Sequence, residues 1–254
     1  MSKELRQALK QTWDDPIKAT IIQRKILSEK FLLRQWYEGI YCFVSQNLKA
    51  GHVNVELGSG SSFLYEHIKG LIKTNILVIP DNHMAFDACN MPFKDSSIDN
   101  LILISVFHHL GEPERFLQEA ARVLKPEGRI LISDPYISIL SYGLWGFLHP
   151  EGCCLSRTGF KKGIHYNPLL AANSANATLM FAKKNSKWKS KLPELKVIEV
   201  TPHSIFHYWL AGGYNFAPLV PKWLFGMIRL AEKLFSPLGG LLASFMFVIV
   251  ERSE

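Results

Sequence analysis

The stretch Val53–Phe63, VNVELGSGSSF, constrains the fold more than any other part of the chain. Val53 to Leu57 alternates like a short buried strand. Gly58-Ser59-Gly60-Ser61-Ser62 breaks it, and a short helical stretch, Phe63 to Lys69, is expected next. A strand, a glycine turn and a helix start in that order form a binding site. Glycine lets the backbone turn tightly and approach a ligand, and a helix start presents unpaired N–H groups. The dinucleotide fingerprint G-x-G-x-x-G would place its third glycine at Phe63, so that reading fails. The plain alternative is an ordinary strand-to-helix turn.

The same stretch resembles motif I of the class I S-adenosylmethionine (SAM)-dependent methyltransferases, E/D-x-G-x-G-x-G. Glu56, Gly58 and Gly60 match, and Ser62 replaces the last glycine. Leu71 to Asn75 then reads as the second strand. Its carboxyl end should face the ligand crevice. In that family an acidic residue there bonds the ribose hydroxyls. Here the position is Asn75, or Asp81 if the strand is Ile76 to Pro80, and Asn75 is preferred; Asp81 after Pro80 has the look of a turn residue.

Asp87-Ala88-Cys89-Asn90-Met91-Pro92-Phe93-Lys94-Asp95-Ser96-Ser97-Ile98-Asp99 closely resembles the D-A-x-x-L-P-F-x-D-x-S-F-D run of the type 11 methyltransferases. The resemblance implies that Asp87 bonds the adenine amino group and that Ala88 meets the ring edge through its backbone. It also places a strand over Leu101 to Ser105, with Ser105 on the cofactor side. His108-His109-Leu110 and Arg122-Val123-Leu124-Lys125-Pro126-Glu127-Gly128 continue the family pattern, with Glu127 in place of a glycine. The helix between them, Glu114 to Leu124, should stop before Pro126. Arg129 to Ser133 is the fifth strand. The resemblance thus runs from Val53 to about Tyr136. The cofactor it implies is SAM, held by Glu56, Gly58, Gly60, Asn75, Asp87, Ala88 and Ser105.

The expected fold is α/β: a Rossmann-like, seven-stranded, mostly parallel sheet with helices on both faces, an N-terminal helical cover and C-terminal insertions. With 254 residues and 48% hydrophobic content, a single domain of this class accounts for the chain. It divides into a helical cover (1–50), a SAM-binding core (51–136), substrate-side insertions with a sixth strand (137–242) and a last strand (243–254). The sixth and seventh strands are expected over Leu195 to Thr201 and Phe245 to Glu251. In the cover, Tyr37 or Tyr41 is the residue that would line a lid over the cofactor.

The formal net charge of +7 favours polyanionic partners without choosing among them. Cys42, Cys89, Cys153 and Cys154 show neither zinc nor disulfide-framework spacing. The first twenty residues have no apolar signal-peptide core. A cytoplasmic protein is expected, with peripheral contact to a membrane. The amphipathic stretch Trp223 to Leu234 either packs against the domain's own sheet, or lies on a membrane surface or forms an apolar pocket for a lipid-linked acceptor. Leu234 to Val250 contains Pro237, Gly239 and Gly240 and is too short to span a bilayer. The basic run Lys183, Lys184, Lys187, Lys189 and Lys191 reads as a solvated loop in preference to a phosphate patch.

Methyl transfer is an in-line displacement for which the cofactor already supplies the activated group; the protein positions the acceptor, and a base helps a hydroxyl. His108 and His109 leave the fourth strand near the expected methyl position and are the catalytic candidates. His149, His165, His203 and His207 are weaker ones. No metal is expected: no ligand spacing appears, and a continuing strand would turn His108 and His109 to opposite faces. The expected function is methyl transfer to a small or lipid-linked acceptor, with a hydroxyl as the preferred atom. The N-terminal K-F-L…Y helix (Lys30-Phe31-Leu32) and the aromatic C-terminal insertion resemble methyltransferases associated with bacterial surface-polysaccharide synthesis, and that resemblance implies such a setting. A non-catalytic scaffold or regulatory protein of the same fold is the alternative. A nucleic-acid methyltransferase is disfavoured, because no RNA-binding appendage or N-P-P-Y type motif is recognisable.

Overall fold

The computed structural model describes residues 3–12, 15–149, 151–160, 167, 171–183 and 187–254. His165 and Lys184 lie outside them. Three helices open the chain: α1 (Lys3–Gln11), α2 (Pro16–Glu29) and α3 (Phe31–Asn47). Asp15 caps α2 by accepting from the Lys18 N–H at 3.0 Å, with Pro16 at its first position.

Seven strands follow: β1 (Asn54–Leu57), β2 (Ile72–Asn75), β3 (Met84–Ala85), β4 (Ile98–Ile104), β5 (Leu124–Pro135), β6 (Leu195–His203) and β7 (Phe245–Arg252). They form one sheet in the order β3-β2-β1-β4-β5-β7-β6. β7 runs antiparallel to both β5 and β6, while the pairs from β3 to β5 are parallel. The remaining helices are α4 (Pro113–Val123), α5 (Ile139–Gly143), α6 (Trp188–Lys191), α7 (His207–Ala211), α8 (Phe225–Phe235) and α9 (Gly239–Leu242).

The sheet is buried on both faces, so its central strands read as continuous apolar runs. Their residues divide by alternation. Leu101, Leu103, Ile130 and Ile132 pack with Phe116, Leu117 and Ala120 of α4. Ile102, Ile104 and Leu131 pack on the other face with Trp36, Tyr37, Ile40 and Tyr41 of α3. A one-residue slip would exchange these two sets, so the register is firmly specified.

Three local expectations change. The stretch Phe63–Lys69 forms only a 3-10 turn, Leu64–Glu66, before Gly70 takes φ +74°. The Phe63 N–H donates to the Tyr41 hydroxyl at 2.9 Å and the Leu64 N–H to Ser62 Oγ at 3.1 Å, so no free row of N–H groups faces a ligand. The second strand stands where the preferred reading puts it, at Ile72–Asn75, and the short strand β3 follows after the turn at Asp81, where no strand is expected. β5 begins at Leu124 and passes through Pro126; Glu127, where the family carries glycine, adopts φ +61° and pairs with Lys49 at 2.9 Å.

Candidate active site

Between the carboxyl ends of β1, β2, β4 and β5 lies a cavity of about 230 Å³. This is the crevice in which open α/β sheets take their ligands. Gly58, Gly60, Asn75, Asp87, Ala88 and Ser105 all line it, although they come from four separate loops. Gly58 (φ +69°) is required by the protein itself, since a Cβ there would lie 2.6 Å from Val106 Cγ2. Ser105 adopts φ +54° where β4 leaves the sheet, the kind of backbone strain that gathers at ligand sites. Asn75 Oδ1 accepts from the Leu77 N–H at 3.1 Å, and Asp87 Oδ1 from the Cys89 N–H at 2.9 Å. Asp81 stands away from this wall, exposed and paired with Arg24 at 3.2 Å.

Glu56 is not on the cavity wall. It is buried behind the glycine loop, where desolvation raises its pKa to about 7 against the hydroxyls of Ser62 and Ser59, which lower it. Its Oε2 has no partner among the described residues. Ser62, the departure from motif I, thereby gains a use: it supports Glu56 and closes the turn through its bond from Leu64.

The roof comes from both distant parts of the chain. Thr20 and Gln23 of α2, Tyr37 of α3, and Tyr214 and Asn215 beyond α7 line the cavity. The Tyr214 hydroxyl donates to Tyr37 Oη at 3.0 Å and lies 2.8 Å from Ser61 Oγ. The buried Lys30 ammonium donates to the Gly213 carbonyl, and to that of Phe216 at 2.9 Å. Arg24 donates to the Gly60 carbonyl at 2.8 Å. Of the two tyrosines expected in a lid, Tyr37 lines the cavity, whereas Tyr41 holds the glycine loop from behind.

His108, His109, His149 and Glu151 line the same cavity. The chain turns as a 3-10 element at Phe107–His109 instead of continuing as a strand, so the two adjacent histidine rings lie side by side, 4.1 Å apart. His108 Nδ1 is 2.9 Å from Asp134 Oδ1, and its Nε2 is 3.2 Å from Glu151 Oε2. Burial lowers the His108 pKa, but the charges of Asp134 and Glu151 outweigh it and hold the ring up at about 10. Burial raises Glu151, and the His108 charge brings it down to about 2. Burial and the neighbouring His108 charge push His109 down to about 4. Burial pushes Asp134 up, against the His108 charge. His203 and His207 lie elsewhere: His203 Nε2 is 3.3 Å from Ser133 Oγ, and His207 Nε2 is 2.9 Å from the Leu32 carbonyl.

Asp134, Glu151, Tyr214 and Asn215 were not legible as site residues. Only the position of Glu151, in an aromatic segment after the fifth strand, hinted at its place.

Residues 55–132 match the family model described as a methyltransferase domain. This segment belongs to the type 11 methyltransferase-domain family. Over 52 residues it is 35% identical to a probable S-adenosylmethionine-dependent methyltransferase of Mycobacterium tuberculosis, covering 20% of this chain and 19% of the relative. The methyltransferase segment is 36% identical over 83 residues to a demethylmenaquinone methyltransferase of Paenarthrobacter aurescens, covering 32% of each chain. It is 30% identical over 86 residues to the Thermotoga maritima protein of the same name, covering 34% of this chain and 35% of the relative. The chain therefore spans about a third of the length of the two demethylmenaquinone methyltransferases. Among solved structures, geranyl diphosphate C-methyltransferase of Streptomyces coelicolor, crystallised with Mg2+, geranyl diphosphate and S-adenosylhomocysteine, superposes with a TM-score of 0.50 at 14% identity, covering 91% of this chain and 84% of that one. That likeness is one of fold.

The cavity fits SAM in its donor set. Asn75 and Asp87 offer amide and carboxylate oxygens for hydroxyl and amino groups, Ala88 offers backbone, and Leu57, Ile76 and Phe86 offer apolar surface.

Proposed function

We propose that this protein is a SAM-dependent methyltransferase acting on a hydroxyl of a small or lipid-linked acceptor. One observation carries the reading: the cofactor wall and the His108–His109–Glu151 cluster line a single cavity, which in this reading has a cofactor end and an acceptor end. A cofactor bound along Gly58, Asn75, Asp87 and Ala88 would supply the activated methyl group. The residues at the other end then hold the acceptor in line. His109 Nδ1 faces the Ala171 carbonyl at 3.1 Å, so that nitrogen carries the proton and Nε2 keeps its lone pair. His109 Nε2 and Glu151 therefore present electron pairs to an acceptor hydroxyl. His108 sits between Asp134 and Glu151 as their counter-charge. In this reading residues 1–254 work as one domain, with the helical cover and the insertions roofing the SAM-binding core.

The lipid-linked acceptor is suggested by the face outside the cavity. α8 is anchored by its inner side: the Glu232 carboxylate accepts from the N–H groups of Ile205, Phe206 and His207 at 2.7–3.0 Å. Its outer side carries Met227, Leu230 and Leu234, with Trp223 (76% exposed) just before it. α9 packs on α5, adding Leu238, Leu241, Ile139 (80% exposed) and Tyr142. Arg229 and Lys233 lie along α8, and Lys222 in the 3-10 turn before it. An apolar face edged by cations suits the surface of an anionic bilayer. No helix among the described residues is long and apolar enough to cross a membrane.

Calorimetric titration with SAM and S-adenosylhomocysteine, repeated for Asp87→Ala, tests the core of this reading. Micromolar binding that weakens about 10-fold or more in the variant supports it, as loss of one charged hydrogen bond requires. No binding at millimolar ligand sinks it and favours a scaffold or regulatory role.

A further inference from the structure

The geometry points to a divalent metal site built from His108 Nε2, His109 Nε2 and the Glu151 carboxylate, with its open coordination position facing the cavity. The inference rests on the proposed acceptor end of the cavity and says what holds the acceptor oxygen there.

Three observations carry it. The first is convergence. One ligand atom from each residue lies within 4.8 Å of the other two. His108 Nε2 is 3.2 Å and His109 Nε2 3.9 Å from Glu151 oxygens. Ligands about 2.0–2.2 Å from a tetrahedral ion stand ~3.3–3.5 Å from one another. The cluster thus needs only small side-chain movement to close on an ion.

The second is the outer shell. A metal-bound histidine generally donates its other N–H to a carboxylate or a backbone carbonyl, which fixes both tautomer and ring direction. Both histidines have such a partner. His108 Nδ1 faces Asp134 Oδ1 at 2.9 Å, and His109 Nδ1 faces the Ala171 carbonyl at 3.1 Å. Both Nε2 atoms are thereby aimed at Glu151. Satisfying one histidine in this way is ordinary packing; two consecutive histidines oriented toward one carboxylate form a ligand set. His149 stays outside it, because its Nδ1 lies 3.4 Å from the Glu151 N–H and accepts from it.

The third is charge. Asp134 is fully buried, the Glu151 side chain is 16% exposed, and histidines are their only close basic partners among the described residues. Asp134 Oδ2 has no hydrogen-bond partner among the described residues. A divalent ion on two neutral histidines would balance both carboxylates. Two imidazoles and a carboxylate suit Zn2+, Co2+ or Fe2+ better than Mg2+ or Ca2+. Three protein ligands leave a position for an outside oxygen. An acceptor hydroxyl entering the cavity would take it.

The test uses the full chain, stripped with a chelator and dialysed. Zn2+ binding is measured by calorimetry, and Co2+ binding by its visible absorption. The expected result is one equivalent bound, with the intense visible bands of low-coordinate Co2+. Glu151→Gln and His109→Gln should each weaken Zn2+ by about 100-fold, and Asp134→Asn by about 10-fold through ring orientation. S-adenosylhomocysteine is titrated into the same samples, and its retained binding shows that each variant is folded. No uptake of Zn2+ or Co2+ at millimolar concentration, or uptake that the variants leave unchanged, overturns the site. S-adenosylhomocysteine binding without metal uptake rejects the ion alone. Metal uptake without S-adenosylhomocysteine binding upholds the ion and rejects the methyltransferase reading.

Discussion

The hydroxyl of Tyr214 lies 3.0 Å from that of Tyr37, joining an insertion near the end of the sheet to a helix that precedes its first strand. Neither phenol can ionise near neutrality: burial pushes both pKa values up. The contact is therefore a fixed hydrogen bond at every physiological pH. Ser61 on the glycine loop completes it.

Tyr214→Phe removes the donor to Tyr37 and the partner of Ser61 while keeping the ring. It should cost about 1 kcal/mol in thermal or denaturant unfolding. The looser roof should also weaken S-adenosylhomocysteine binding several-fold. A double cycle with Tyr37→Phe should show that the two losses do not add. Additive losses would mean that the two hydroxyls act independently.

Gly58→Ala should be far more damaging than Gly60→Ala. At Gly58 a Cβ meets Val106 at 2.6 Å, whereas at Gly60 its nearest neighbour, the Gly58 carbonyl, is 3.6 Å away. Both positions have positive φ, so both substitutions carry backbone strain of about 1 kcal/mol or more. Only Gly58→Ala adds a steric clash. Comparison of melting temperatures checks the order; equal losses would contradict it.

Glu56 predicts a pH dependence. Burial raises its pKa from 4.5 to about 7 in the folded chain. Between those values the folded state binds more protons than the unfolded one, so this group's contribution to stability is present below about 4.5 and lost as pH rises through about 7. Glu56→Gln should remove that slope and gain stability relative to the parent as pH increases, by at most about 3 kcal/mol. Denaturant midpoints measured at several pH values for both proteins decide it. A difference independent of pH would show that folding does not raise the Glu56 pKa.

Trp223→Glu and Met227→Glu should abolish sedimentation with anionic vesicles and leave the melting temperature unchanged, because both side chains are largely exposed. Neutral vesicles should bind the parent protein more weakly. Equal sedimentation of parent and variants would remove the membrane face from the proposal.

The sheet was legible because its strands are short apolar runs separated by glycine, proline and charge. Six of the seven strands lie within a few residues of where alternation and the family pattern put them. β3 is two residues long, below the length at which periodicity carries a signal. Gly58, Asn75 and Ser105 were legible because each sits at or just past the end of a strand, where chain order fixes position, and Asp87 because it opens the run that resembles the type 11 family. Glu56 shares their motif, but strand alternation turns it behind the loop. The acceptor end was legible only in part. His108 and His109 carry the family pattern, yet their partners Asp134, Glu151 and Ala171 lie 26 to 62 residues on. Contacts across such separations depend on how the insertion folds back, which no local pattern encodes. The opposite-faces argument against a metal failed for a local reason: the strand ends at Ile104, and a 3-10 turn brings both rings to one side.

The placement of β7 between β5 and β6 has a consequence for how the molecule is made. Until residues 245–252 have left the ribosome, β5 has an unpaired edge and β6 has no neighbour in the sheet. An open, apolar strand edge invites pairing with other chains. The last strand therefore acts as a closing wedge: its arrival seals the edge, joins β6 to the sheet and sets Phe245 into the cavity wall in a single event. A nascent chain stalled just short of that strand should recruit chaperones and fail to retain cofactor, and release of the next few residues should reverse both.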